Sequence, residues 1–148
     1  MSIPVVVFPD IQMVVVDYLT DTLADRIEHY VFGVKVGTVV ERPRQPVAVT
    51  VERAGGVRTL PSVDNPRVEI QVWHGTDEDA QHLALLVRAL LHAMPGVVDT
   101  STGPVTVTRV VDFAGPFRSP DPLSKPPHPR VRLTVEVGVH PVADTTVS

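Results

Sequence analysis

Three side chains that could bind a metal ion lie between a predicted strand end and the first turns of a predicted helix: His74, Asp77 and His82. Imidazole nitrogens and a carboxylate are accepted zinc ligands. His82 is predicted on the polar side of the helix together with His92, but ten residues, or about 15 Å of helix, separate these two histidines, too far to share an ion. Solvated surface histidines explain the pattern better, so we expect no metal site and no cofactor.

The chain contains no recognised catalytic pattern. Gly55-Gly56 is not followed by a helix or by Lys-Ser/Thr, so it does not make a phosphate-binding loop, and neither G-x-S-x-G nor H-E-x-x-H occurs. The absence of cysteine excludes disulfides, thiol catalysis and cysteine-ligated metals. We therefore predict that the protein is not an enzyme. A small enzyme or ligand-binding domain that uses the region from His74 to His82 remains the alternative.

Charge and hydropathy narrow the class of protein further. Thirteen basic and seventeen acidic residues give a net charge of −4, which is unfavourable for binding nucleic acid by neutralising phosphates. No apolar run approaches the roughly 20 residues needed to span a bilayer. A length of 148 residues fits one domain, predicted here as residues 1–148.

Two segments have helical periodicity. The first helix is predicted from about Asp10, a suitable N-cap after Pro9, to about His29, with apolar residues recurring every three or four positions. The second helix is predicted over about 77–94, because Thr76 and Asp79 suit a capping pair and Pro95-Gly96 stops the helix. Its apolar residues fall on one face: Ala80, Leu83, Ala84, Val87, Leu91 and Met94.

Five segments alternate between apolar and polar residues, as strands with one buried face do. The apolar positions are Val34, Val36 and Val40; Val47, Val49 and Val51; Val68, Ile70 and Val72; Val105, Val107, Val111 and Phe113; and Val131, Leu133, Val135, Val137 and Val139. One dry and one wet face predict an α+β two-layer domain. Its mainly antiparallel or mixed five-stranded sheet carries both helices on one face.

An acidic stripe occupies one side of the first predicted helix, at Asp17, Asp21, Asp25 and Glu28. Like charges at this spacing cost a few tenths of a kcal/mol each. The plain interpretation is a solvated helix face, and the alternative is an acidic wall that repels a polyanion passing nearby.

Several residues depart from the core pattern and are candidates for contact with a partner. Leu85 and Ala89 lie on the polar side of the second helix, and Arg109 interrupts the apolar face of a strand. Either a bulge turns Arg109 outward or it pairs with a carboxylate at an interface. The segment 114–129 contains six prolines together with Phe117 and Arg118. It is either a solvated hairpin connection or a semi-rigid arm laid on a neighbour.

Two blocks carry a resemblance to a known family. The first is Arg67–Gly96 (RVEIQVWHGTDEDAQHLALLVRALLHAMPG), an alternating strand followed by a helix that ends at Pro-Gly. The second is Val105–Val139, in which a strand enters a Pro/Asp-rich connection and a strand with a basic start follows. With the N-terminal helix DIQMVVVDYLTDTLADRI, the chain resembles the tail terminator proteins of siphophages that infect actinobacteria.

This resemblance implies a structural virion protein. Tail terminators form a hexameric ring that caps the tail tube, stops its polymerisation and offers a docking surface to the head connector. The implied partners are copies of the chain, the major tail tube protein, and connector or neck proteins. Viral DNA passes through without sequence-specific binding, and no membrane is involved. The implied location is the head–tail junction of the virion, after synthesis in the host cytoplasm.

Within such a ring, the sequence offers candidates for two roles. Candidates for the subunit or partner interface are Leu85, Ala89, Arg109, Phe117 and Arg118, and candidates for an acidic lumen are Asp17, Asp21, Asp25 and Glu28. Another neck or tail-completion protein would look similar and is the structural alternative.

Overall fold

The computed structural model describes residues 3–39, 46–60, 63–124 and 126–147. Val40 of the first predicted strand and Lys125 of the Pro-rich segment lie outside this range. Two helices and eight strands occur in it, in the order β1 (Ile3–Val7), α1 (Ile11–Ala24), β2 (Lys35–Gly37), β3 (Ala48–Leu60), β4 (Val63–Trp73), α2 (Asp77–His92), β5 (Gly96–Thr100), β6 (Gly103–Arg118), β7 (Arg130–Val139) and β8 (Ala143–Val147). A short 3-10 helix at His29–Val31 joins α1 to β2.

Both predicted helices form, and their N-caps are as expected. The Asp10 side chain accepts a hydrogen bond from the amide of Gln12, and the Thr76 hydroxyl accepts one from the amide of Asp79. However, α1 ends at Ala24, so the prediction that it extends to His29 is wrong. The chain turns at Asp25 and re-forms as the 3-10 helix, which brings Val31 into the core. Helix α2 ends at His92, two residues earlier than predicted.

The main sheet has six strands in the order β2-β3-β4-β7-β6-β5. Only the β2–β3 pair is parallel, so the prediction of a mainly antiparallel, mixed sheet is confirmed. The predicted number of five strands is wrong, because β5 forms directly after the Pro95-Gly96 helix stop. With five residues and one buried side chain, Val98, it is too short to show an alternating pattern.

The sheet is curled rather than flat. Helix α1 contacts β5 at one end of the strand order and β2 and β3 at the other, so the two ends must approach the same helix. Strands β1 and β8 form a separate two-stranded sheet from the chain ends. The α+β class is therefore confirmed. The prediction of a simple two-layer domain is incomplete, because the main sheet is curled and a second, two-stranded sheet is present.

The core lies between the concave face of the main sheet and both helices. Alternate residues of β3, β4, β6 and β7 point into it, together with one side of each helix. Ile70, Leu83, Leu91 and Leu133 are fully buried there. Full burial of such a side chain stabilises the fold by about 1.5–3 kcal/mol.

The Pro-rich segment 114–129 is not a loop throughout. Strand β6 continues to Arg118, and pairing persists beyond it: the Ser119 amide donates to Arg130 O at 2.8 Å and the Asp121 amide donates to His128 O at 3.0 Å. This segment therefore continues the β6–β7 hairpin, which favours the hairpin interpretation over a detached arm.

Candidate functional site

Helix α2 is held beside β6 by side chains at both ends of the contact. Near the N-terminus of α2, Asp77 pairs with Arg118 at 2.9 Å. Further along, Arg88 and His92 both donate hydrogen bonds to Asp112 of β6, His92 from Nε2 at 2.8 Å. These contacts place α2 antiparallel to the second half of β6.

The second half of β6, residues 108–118, has an open edge. Strand β5 pairs only with residues 103–107 of β6, and no other strand in the described part of the chain covers 108–118 on that side. Register shifts interrupt the pairing with β7 near Asp112 and Ala114, and Pro116 has no amide hydrogen. Bulges and proline limit strand addition at an edge, so partners are expected to contact side chains here more than backbone.

Exposed apolar side chains line this open half on both sides. Val111, Phe113 and Phe117 lie on the convex face of the sheet, where Phe113 is 54% exposed. Leu85 and Ala89 are exposed on α2, which packs on the opposite, concave face. We call Val111, Phe113 and Phe117 the β6 surface. It contains one of the five residues predicted as interface candidates, Phe117, whereas Leu85 and Ala89 lie on α2 and are not part of it.

The other two interface candidates border the β6 surface and have partners within the chain. A register shift between Val107 and Arg109 turns Arg109 to the exposed face, where it pairs with Glu136 at 2.9 Å. Arg118 pairs with Asp77. The bulge proposed for Arg109 is therefore present, and a role in an interface remains a prediction for both arginines.

Aromatic and charged side chains are interleaved on the convex face of the sheet. The Arg67 guanidinium lies 3.9 Å from the centre of the Phe113 ring, and Arg67 also pairs with Glu136 at 3.8 Å. A guanidinium over an aromatic face stabilises the pair by about 0.5–1 kcal/mol at exposed sites. Phe113 is thus held in a defined position although half of it faces solvent.

A second apolar surface, absent from the sequence-based candidates, lies between α1 and β2. A groove of about 670 Å³ is lined by Leu23, Val31 and Val34 together with Ile27 and Phe32. Ile27 is 96% exposed and Phe32 is 88% exposed. We call this feature the α1–β2 groove. The sequence did not indicate this groove, because Ile27 fits the apolar period of α1 and was expected to be buried. Ile27 is exposed only because the helix ends early, at Ala24.

The acidic stripe of α1 is divided by the structure. Asp17 accepts hydrogen bonds from the amide and hydroxyl of Ser101 at 2.9 and 3.1 Å. Asp21 is exposed at a cleft of about 290 Å³ that β5 also lines. Asp25 caps the end of α1. Glu28 lies beyond the helix in an ion pair with Arg26, and the hydrogen bonds from Arg26 lower the pKa of the Glu28 carboxyl.

The histidine region near the start of α2 has structural contacts. His74 Nε2 lies 3.0 Å from the carbonyl oxygen of Tyr30, and His82 lies against the Tyr30 ring with centroids 5.7 Å apart. Asp77 pairs with Arg118. Within the described residues, no group of three or more histidines and carboxylates could hold a metal ion.

Comparison with known proteins gives the class of the chain. No curated protein matches it. No helix among the described residues is long and apolar enough to cross a membrane. The family described as phage tail termination protein matches residues 7–146, which include both helices and the complete main sheet. This family is structural and its members are components of phage tails. The chain belongs to the phage tail termination protein family.

Proposed function

We propose that this chain forms a hexameric ring that caps the phage tail tube. Seated on the last layer of tube protein, the ring stops further addition of tube subunits and presents its opposite side to the head connector or a neck protein. The function is steric, with no bond made or broken. The family match over residues 7–146 is the observation that carries this proposal.

The distribution of apolar surface supports self-association in a ring. A closed ring needs head-to-tail interfaces, in which two different patches of the same chain meet. The β6 surface and the α1–β2 groove are two such patches, because β6 and the 3-10 helix contact different sides of α2. A specific interface buries on the order of 1,000 Å² or more. The exposed residues Phe32, Phe113 and Phe117 supply apolar area for it.

The acidic face of α1 is proposed to border the passage through which viral DNA moves. Asp17 and Asp21 lie on the helix itself, and Asp25 and Glu28 follow it beside the groove, where the passage would meet the contact between subunits. Six copies of a chain with a net charge of −4 would repel a polyanion, so DNA would pass through the ring without adhering.

The decisive experiment is disruption of the gene in its phage, followed by electron microscopy of the lysate. A terminator predicts tails of uncontrolled length that do not join heads, and the wild-type gene supplied in trans restores both length and joining. Tails of normal length that lack heads would overturn the proposal and favour another neck or tail-completion protein.

Mass measurement provides a second test. Native mass spectrometry of the protein released from purified tails should give a species of six subunits. A different closed number would correct the ring size, and its absence from tails would contradict a role as a cap.

A further inference from the structure

We propose that neighbouring subunits join by packing the α1–β2 groove of one copy against the β6 surface of the next. This inference rests on the proposed ring and names its contact. The occupant of the groove is therefore a second copy of this chain, supplied by a different part of its surface.

The two patches lie on different sides of one helix, as a head-to-tail contact requires. On one side of α2, Asp79 contacts His29 at 3.2 Å in the segment that forms the groove. On the other side, Asp77 and Arg88 contact β6. Helix α2 thus fixes the distance between the groove and the β6 surface within each subunit. A fixed offset between two complementary patches sets the rotation from one subunit to the next.

Each patch exposes large apolar side chains to solvent. Ile27 and Phe32 protrude at the groove, and Phe113 and Phe117 are about half exposed along β6. Contiguous exposed apolar residues on a soluble domain indicate an interaction site. Aromatic side chains such as these carry much of the binding energy in protein interfaces.

The charges next to the two patches are complementary. On the β6 side, the single carboxylate of Glu136 pairs with two arginines, Arg67 at 3.8 Å and Arg109 at 2.9 Å, which leaves an excess of positive charge. At the groove, the lining residues Arg26 and Glu28 pair with each other, which leaves the adjacent Asp25 without an ion pair among the described residues. Opposite excess charges favour this pairing over contact between identical patches, since like charges would then meet.

Cysteine cross-linking tests the contact directly, because the chain has no native cysteine. Two single variants, Phe32→Cys and Phe113→Cys, are each incorporated into tails and treated with a short bis-maleimide. Both sites are exposed, so folding is expected to be retained. The head-to-tail contact predicts covalent dimers only when the two variants are mixed. The double variant in one chain should give a ladder of products that ends at the closed ring.

A matched control replaces the groove position by a site outside both patches. Val57→Cys, on β3 and 67% exposed, should give little product when mixed with Phe113→Cys. Cross-linking of Phe32→Cys alone, equal product from the Val57 control, or no product from the Phe32 and Phe113 mixture in tails of normal length would each overturn the proposed contact.

The outcomes distinguish this inference from the function on which it rests. Ring-sized particles on tails without the predicted cross-link would refute only the contact. A cross-linked ladder from a protein whose loss leaves tail length unchanged would refute the terminator function and keep the contact.

Discussion

Arg88 of α2 donates hydrogen bonds from Nε to both carboxylate oxygens of Asp112 in β6, at 3.2 Å each. Arg88 Nη2 donates a third hydrogen bond to this carboxylate, and His92 adds a fourth. The hydrogen bonds from Arg88, and then from His92, lower the pKa of Asp112 from 3.8 to about 2. This one side chain therefore holds α2 against the open half of β6, next to the proposed subunit contact.

The first prediction is that Asp112→Asn destabilises the fold in a pH-dependent way. A carboxyl whose pKa is lower in the folded state stabilises the protein above its unfolded pKa of 3.8 and loses this contribution as the pH falls toward 2. Because the pair is partly exposed, we expect a loss of about 0.5–1 kcal/mol at pH 7. Urea unfolding at pH 7 and pH 3 measures it, and the difference from wild type should shrink at pH 3.

Asp99→Asn is the matched control for this experiment, since Asp99 is an exposed aspartate on β5 without an ion pair among the described residues. It should change stability little at either pH. An Asp112→Asn penalty that is unchanged at pH 3 would contradict the electrostatic explanation.

The second prediction compares two adjacent glycines of β3. Gly55 and Gly56 both have φ near +100°, but a Cβ at Gly56 would lie 2.3 Å from the carbonyl oxygen of Asn65, whereas one at Gly55 would meet nothing within 4 Å. Gly55→Ala should cost about 1–2 kcal/mol for the backbone conformation alone. Gly56→Ala should cost about 3 kcal/mol or more, because the β3–β4 backbones must also separate. Thermal unfolding of both variants tests this, and equal losses would contradict it.

The third prediction concerns the contact between the two helices. The Tyr18 hydroxyl of α1 donates a hydrogen bond to the Leu90 carbonyl oxygen of α2, and burial raises the pKa of Tyr18. Tyr18→Phe should lower the free energy of unfolding by about 0.5–1.5 kcal/mol, the usual contribution of such a bond. Tyr30→Phe is the control, because the Tyr30 hydroxyl makes no hydrogen bond within the described residues. Denaturant unfolding should show a loss only for Tyr18→Phe.

The fourth prediction tests the β6 surface as an assembly surface. The double variant Phe113→Ser/Phe117→Ser should fold, since both side chains are about half exposed. Loss of two apolar contacts per interface, each of about 1.5 kcal/mol or more when fully buried, should weaken subunit association at least tenfold. Native mass spectrometry and complementation of a gene-disrupted phage measure this. Val57→Ser should behave as wild type, and normal rings from the double variant would exclude the β6 surface from the contact.

The fifth prediction concerns passage of DNA. Asp17→Asn/Asp21→Asn removes two negative charges per subunit, while the asparagine at position 17 can still accept hydrogen bonds from Ser101. Rings and tails should form normally, and DNA ejection measured by dye release should slow. Ejection at the wild-type rate would count against an acidic lumen at α1.

Much of the framework could be predicted from local sequence. Capping residues and apolar periodicity placed both helices, and alternation placed the buried faces of the long strands, because each residue's direction relative to its own element follows from backbone geometry. The sequence also indicated the unusual character of Leu85, Arg109 and Phe117. It did not indicate β5, whose five residues contain too little alternation.

Only the tertiary structure decided which helices and strands contact one another. The early end of α1 exposes Ile27, and the register of β6 on β7 places Phe113 and Phe117 on the convex face of the sheet. Such relationships depend on contacts between residues far apart in the chain. Those contacts are fixed by packing of the whole core and by the curl of the sheet, neither of which local periodicity encodes. The sequence alone thus determined the family resemblance and the buried faces, and long-range packing decided which exposed residues form a surface.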